Sequence, residues 1–72
     1  MRHYEHLAEE LTALMLQHHL TAAELSRRTG IDLSTLRRIR SGRCDSLSTR
    51  ILWALSHEFQ IPIAELIDRF ST

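Results

Sequence analysis

The chain has no lysine, and among its 72 residues only one cysteine, one proline and two glycines. Each scarcity excludes something. A lone Cys44 cannot build an intrachain disulfide framework, and it points to a reducing, cytoplasmic setting. No apolar run approaches the roughly 18 residues that a membrane span needs, so no membrane is expected as a partner. Met1-Arg2-His3-Tyr4-Glu5 leads into a helical pattern rather than a signal peptide. No low-complexity stretch and no repeat of solenoid period are present. A chain of this length is expected to form one domain over residues 1–72. Such a domain buries only about 60% of its unfolded surface, so its stability margin is thin.

The formal net charge is zero, which weighs against nucleic acid as a partner. The distribution reverses that impression. Seven arginines (27, 28, 37, 38, 40, 43 and 50) stand between Arg27 and Arg50, against two acids, Asp32 and Asp45. The remainder holds Arg2 and Arg69 against seven acids, so the middle is +5 and the flanks −5. All nine cations are arginine. Its planar fork suits bidentate contacts to phosphate and guanine; a codon bias toward G and C produces the same composition.

Periodicity and capping signals predict five helices and no strand. Tyr4, Leu7, Ala8, Leu11, Leu14, Met15 and His18 form a stripe at helical spacing, ending near His18-His19. Thr21 then reads as an N-cap with Glu24 closing a capping box, and Leu20 with Leu25 as a hydrophobic staple. This second helix runs to Thr29 and stops at Gly30, a fitting left-handed cap. Asp32 is expected to cap the third, Leu33 to about Arg40, with Ile31 and Leu36 as its staple. After the polar loop Arg43-Cys44-Asp45-Ser46, a fourth helix covers roughly Ser48 to Phe59. It buries Leu52, Leu55 and Phe59, with Ile51 and Trp53 beside that stripe. Pro62 opens a fifth where its missing N–H costs nothing, stapled by Ile61 and Leu66.

The turn Thr29-Gly30-Ile31-Asp32 is too short for anything but a steep crossing of helices two and three, the helix-turn-helix arrangement. That arrangement needs a glycine in the turn (Gly30) and a small residue where the helices touch (Ser26). Apolar residues must lock one helix onto the other, a part open to Leu25, Ile31, Leu36 and Ile39. With Leu36 and Ile39 buried, Leu33, Ser34, Arg37, Arg38 and Ser41 fall on the opposite face of helix three.

From Leu20 to Arg43 the chain closely resembles the Cro/repressor, or Xre, family. Leu52 to Leu66 is similar to that family's fourth and fifth helices, so the likeness runs from about residue 7 to residue 68. It implies an all-α, five-helix, lambda-repressor-like domain whose third helix enters the major groove of double-stranded DNA. The base readers would be Leu33, Ser34, Arg37 and Arg38, since residues near the recognition helix's N-terminal end meet base edges. Phosphate contacts would fall on Thr21 and Ala22 with their N–H groups, and on Ser41 and Arg43. Three departures from the family pattern stand out. Ala22 replaces a usual glutamine. Asp32 replaces a common serine or threonine, and a carboxylate there is either a cytosine reader or a source of repulsion. Met15 and Arg40 stand where many members pair arginine with glutamate. Met15 is expected to fill that space with apolar contact, leaving Arg40 to the phosphate-facing surface.

Five histidines raise the question of a metal, but His3 and His6 lie about 18 Å along one helix from His18 and His19. No Cys/His cluster has zinc spacing, and neither a catalytic triad nor a phosphate-binding glycine loop is present. No enzyme activity, cofactor, metal or small-molecule effector is therefore expected, and Cys44 reads as a plain thiol. The segment from Ile61 to Phe70 has more apolar residues than one side of a short helix buries. Ile63, Ile67 and Phe70 are candidates for a homodimer interface, which would demand a near-palindromic operator. The expected function is a DNA-binding transcription regulator of repressor type. The alternatives are an antitoxin that also masks a toxin, and a protein-interaction module that kept only the fold.

Overall fold

A computed structural model describes residues 4–71; Arg2 and His3 lie outside them. The described residues form five helices and no strand: α1 Leu7–Gln17, α2 Ala22–Thr29, α3 Leu33–Arg40, α4 Thr49–Phe59 and α5 Ile63–Ser71. Helix α1 packs on α3 and α5, α2 on α3 and α4, and α4 on α5.

Helix α1 buries Leu7, Leu11, Leu14 and Met15, the stripe its spacing predicts. The ends of that stripe behave differently. Tyr4 precedes the helix: its N–H donates to the Asp45 carbonyl (2.6 Å), and its ring meets Phe70 edge-on at 6.0 Å. His18 is exposed at the C-cap rather than buried, and its ring lies edge-on to Phe59 at 5.0 Å.

The capping box of α2 is complete. Thr21 Oγ1 accepts from the Glu24 N–H (3.1 Å), and Glu24 Oε1 accepts from the Thr21 N–H (3.0 Å). The helix ends on Gly30 in the left-handed region at φ 77°. The turn is then fixed by side chains. Ser26 Oγ donates to the Ile31 carbonyl (2.6 Å), while Thr29 Oγ1 donates to the Leu25 carbonyl (2.7 Å) and accepts from the Ile31 N–H (3.2 Å). Ile31 and Leu36, the expected staple pair, are both buried.

Asp32 departs from expectation. It occupies the N-cap position of α3, but its side chain makes no cap bond. At Thr21 and Ser48, which do cap, ψ is 163° and 158°; at Asp32 it is 135°. The backbone at Asp32 thus lies outside the arrangement found at the two residues that cap.

A second corner repeats the first one thirty residues on. Ser56 Oγ donates to the Ile61 carbonyl (2.6 Å), and Gln60 takes the left-handed place of Gly30 at φ 54°. Leu25 and Leu55, Ile31 and Ile61, Leu36 and Leu66 are the matching apolar pairs. Pro62 stands just ahead of α5, its carbonyl accepting from the Leu66 N–H (3.0 Å).

The core runs through all five helices. Leu11, Leu25, Leu36, Ile39, Leu55, Leu66 and Phe70 are completely buried, and Leu47 joins them from the loop before α4. Each such side chain contributes about 1.5–3 kcal/mol by leaving water. Full burial overturns one expectation: Phe70 is committed to Tyr4 and the core, so it has no surface left for a second subunit. Ile63 and Ile67 are only half-buried.

A β-carbon at Gly30 would meet nothing within 4 Å, so the cost of Gly30→Ala is purely conformational. A left-handed non-glycine residue costs about 1–2 kcal/mol, which should lower the melting temperature by at least about 4 °C for a domain of this size. Gln60→Gly should shift it upward, by less, because the glycine also gains freedom in the unfolded chain. Thermal melting by circular dichroism reads both.

Candidate nucleic-acid interface

The outer face of α3 is set by the residues that α3 buries. Leu36 and Ile39 are fully buried against neighbouring helices. With 3.6 residues per turn, Ser34, Arg37 and Arg38 must point away from them, and all three are exposed. Leu33, at the edge of that face, is half-buried. Ser41, one residue past the helix, falls on the same side by helical spacing, and it and Arg43 in the following loop are exposed.

The end of α3 positions that last pair. Gly42 takes φ 80°, and its N–H donates to the Ile39 carbonyl (3.1 Å). The Arg38 carbonyl accepts from the Arg43 N–H (2.9 Å) and from Ser41 Oγ (3.0 Å). These bonds hold the Arg43 backbone against the last turn. Arg40 is exposed, while Met15 is 2% exposed on α1, the helix that packs against α3.

At the other end of the unit the capping box has a consequence for phosphate binding. The Thr21 N–H is already held by Glu24, and Thr21 Oγ1 already accepts from the Glu24 N–H. The donors left for an anion are the N–H groups of Ala22 and Ala23, the first two of the helix. Ala22 is thus suited to phosphate through its backbone; Thr21 offers only a hydroxyl proton. Glu24 sits at the same helix end. The hydrogen bond from the Thr21 N–H, then that with the Thr21 side chain, holds its carboxyl below the ordinary 4.5.

The arginines do not all serve one surface. Arg28 Nε is 2.5 Å from Glu58 Oε2, an ion pair tying α2 to α4, with Glu58 largely covered and Arg28 still 60% exposed. Arg27, Arg37, Arg38, Arg40, Arg43 and Arg50 are exposed. Sequence periodicity gave no hint of the Arg28–Glu58 pair, which depends on how two helices thirty residues apart cross. Arg50 was not singled out by motif either. It lies in the first turn of α4, on the rim of a cleft of about 340 Å³ between that helix and the turn, across from Asp32 and Thr35. Cys44 is half-buried, its Sγ donating to the Ser46 carbonyl (3.1 Å). Among the described residues no helix is long and apolar enough to cross a membrane.

An all-α domain with a glycine-turned helix pair and an arginine-bearing second helix defines a helix-turn-helix protein. The comparison with known families makes this specific: the Cro/C1-type HTH DNA-binding domain matches residues 10–70, nearly the whole chain. The chain belongs to that family, and its partner is double-stranded DNA. No curated protein and no solved structure matches it significantly.

The lowered Glu24 carboxyl makes the α2 cap acid-sensitive. Because the folded state holds this group below its unfolded value, the stabilisation is complete above the unfolded value of 4.5. It is lost as pH falls through the folded one. Melting temperatures measured between about pH 6 and about pH 3 should therefore fall less steeply for Glu24→Gln than for the parent chain.

Proposed function

We propose that this chain is a sequence-specific transcription regulator that represses by occupying an operator, with α3 in the major groove. The observation that carries the reading is the surface of α3: Ser34, Arg37 and Arg38 stand exposed opposite the buried pair Leu36 and Ile39. Arg37 and Arg38 present guanidinium forks suited to guanine O6 and N7. Ser34 can donate or accept, and Leu33 can pack on a thymine methyl. Arg40, Ser41, Arg43 and the Ala22 N–H then hold the phosphates on either side, with the Thr21 hydroxyl beside them. Repression follows from occupancy alone and requires no chemistry, cofactor or effector.

The domain acts as a homodimer in this reading. Two copies place two α3 helices one DNA turn apart, about 34 Å, on a near-palindromic site. A body 26 × 25 × 21 Å in extent suits that spacing when two stand side by side. Half-buried Ile63 and Ile67, with Trp53 57% exposed, offer the apolar surface available for such a contact.

Selection of binding sites from random duplexes tests this directly. The parent chain should return half-sites about 10 base pairs apart. An Arg37→Ala, Arg38→Ala double variant should lose preference at the guanine positions, each arginine accounting for about 1–3 kcal/mol of discrimination. Unchanged preference in that variant would defeat the assignment of α3. Arg43→Ala should instead weaken binding to all sequences alike and reduce the salt slope by about 1.

A further inference from the structure

Asp32 occupies the N-cap position of α3, at the end of the helix proposed to meet base edges, and no hydrogen bond or ion pair among the described residues engages its carboxylate. The side chain is exposed. It gives no cap bond to the helix it precedes, unlike Thr21 and Ser48 at the equivalent places of α2 and α4. No ion pair joins it to Arg50 across the cleft they both border, nor to Arg37 or Arg38 one turn and more along the helix. An ionised carboxylate only accepts hydrogen bonds. Brought against a polyanion, it must therefore find a donor or be repelled.

The major groove has two such donors, the cytosine N4 amino group and the adenine N6 amino group. They are not equivalent for a carboxylate. Adenine sets the N7 acceptor beside its amino group, so the second carboxylate oxygen would face a lone pair. Cytosine has no acceptor on its major-groove edge. We propose that Asp32 is a specificity-determining residue that selects a cytosine at one position of each half-site, its freedom from capping being what leaves the carboxylate available. This rests on the reading that α3 enters the major groove, and it adds a discriminating position that the arginines do not supply.

The chemistry fixes the test. Asparagine is nearly isosteric with aspartate but offers an acceptor and a donor together, the pattern that pairs with adenine N6 and N7. Random-duplex selection with the parent chain should show a cytosine at one position per half-site. Asp32→Asn should change that one position to adenine and leave the guanine positions as they were. Asp32→Ala should relax the same position to no preference. On single duplexes, the parent should favour cytosine there over other bases on the order of tenfold, within the range of a good base contact. Both variants should stay folded, melting below the parent by no more than the carboxylate's attraction to the helix N-terminus, since no cap bond is lost.

Two results would overturn the proposal. If both variants bind the parent's site more tightly with the same preferences throughout, the carboxylate only repels phosphate. If the Asp32→Asn profile matches the parent's at every position and affinity is unchanged, the side chain does not meet a base. Both outcomes leave the assignment of α3 standing, because the Arg37 and Arg38 positions are read in the same experiment. A parent chain that selects no sequence would remove both readings together.

Discussion

A hydroxyl on α2 decides where α3 can point. Ser26 Oγ donates to the carbonyl of Ile31, five residues ahead and on the far side of the turn. The bond closes with Gly30 in its left-handed conformation and Ile31 turned into the core. A larger side chain at position 26 would push the two helices apart, and a β-carbon at Gly30 would resist the reversal. Thr29 adds a second clasp through the Leu25 carbonyl and the Ile31 N–H. Two of these contacts, Ser26 Oγ to the Ile31 carbonyl and the Ile31 N–H to Thr29 Oγ1, satisfy backbone groups that a partly buried turn would otherwise leave unpaired, at a cost of about 1–3 kcal/mol each. The angle of α3, and with it the direction of every exposed arginine on it, follows from that closure.

The same device turns α4 into α5, and the differences between the two corners are informative. Ser56 and Ile61 repeat the clasp, but Gln60 bears the left-handed strain that glycine avoids at position 30, and Pro62 stands where Asp32 does. Proline at that place offers only apolar surface. Aspartate at Asp32 leaves a charge exposed that neither caps nor pairs. One corner ends on an apolar ring, and the other leaves a charged side chain exposed. Four helix-to-helix connections are made with only two glycines because His19 and Gln60 take the left-handed conformation, at φ 55° and 54°, where Gly30 and Gly42 do so elsewhere.

Much of this was readable from the sequence because it is local. The periodic burial of Leu7, Leu11 and Leu14, the Thr21–Glu24 box, the Gly30 stop and the staples at Ile31 and Ile61 depend on neighbours within five residues. What could not be read depends on chain segments that meet only in the folded state. Tyr4 pairs with Phe70, and Arg28 with Glu58. Phe70 shows the limit plainly. Its helical register made it a plausible contact for a second subunit, and only the ring of Tyr4, brought in by the Asp45 carbonyl, shows that the position is already filled. Asp32 fails for another reason: residue type predicts a cap, but a difference of some 20–30° in ψ decides whether the side chain reaches. For the interface, the family pattern and the buried pair Leu36 and Ile39 indicated which side of α3 is outward. They did not indicate that Arg28 is engaged elsewhere or that Thr21 has already used its N–H.

A neutral chain that binds a polyanion is not a contradiction once distance is considered. Charges farther apart than a Debye length, about 8 Å at physiological ionic strength, hardly act on one another through solvent. The protein is 21–26 Å across, so a surface a few Debye lengths away contributes little to the potential at α3. The acids of α5, Glu65 and Asp68, belong to a helix that packs on α1 and α4. Local charge is therefore what counts on contact, and at the proposed interface the exposed Arg37, Arg38, Arg40 and Arg43 outweigh Asp32. Net neutrality acts instead on the long-range, sequence-independent attraction that supplies nonspecific binding. Holding that term down while keeping directional donors on one helix raises the ratio of specific to nonspecific affinity. It would also make a single exposed carboxylate tolerable on the proposed recognition surface, provided that it meets a base rather than a phosphate.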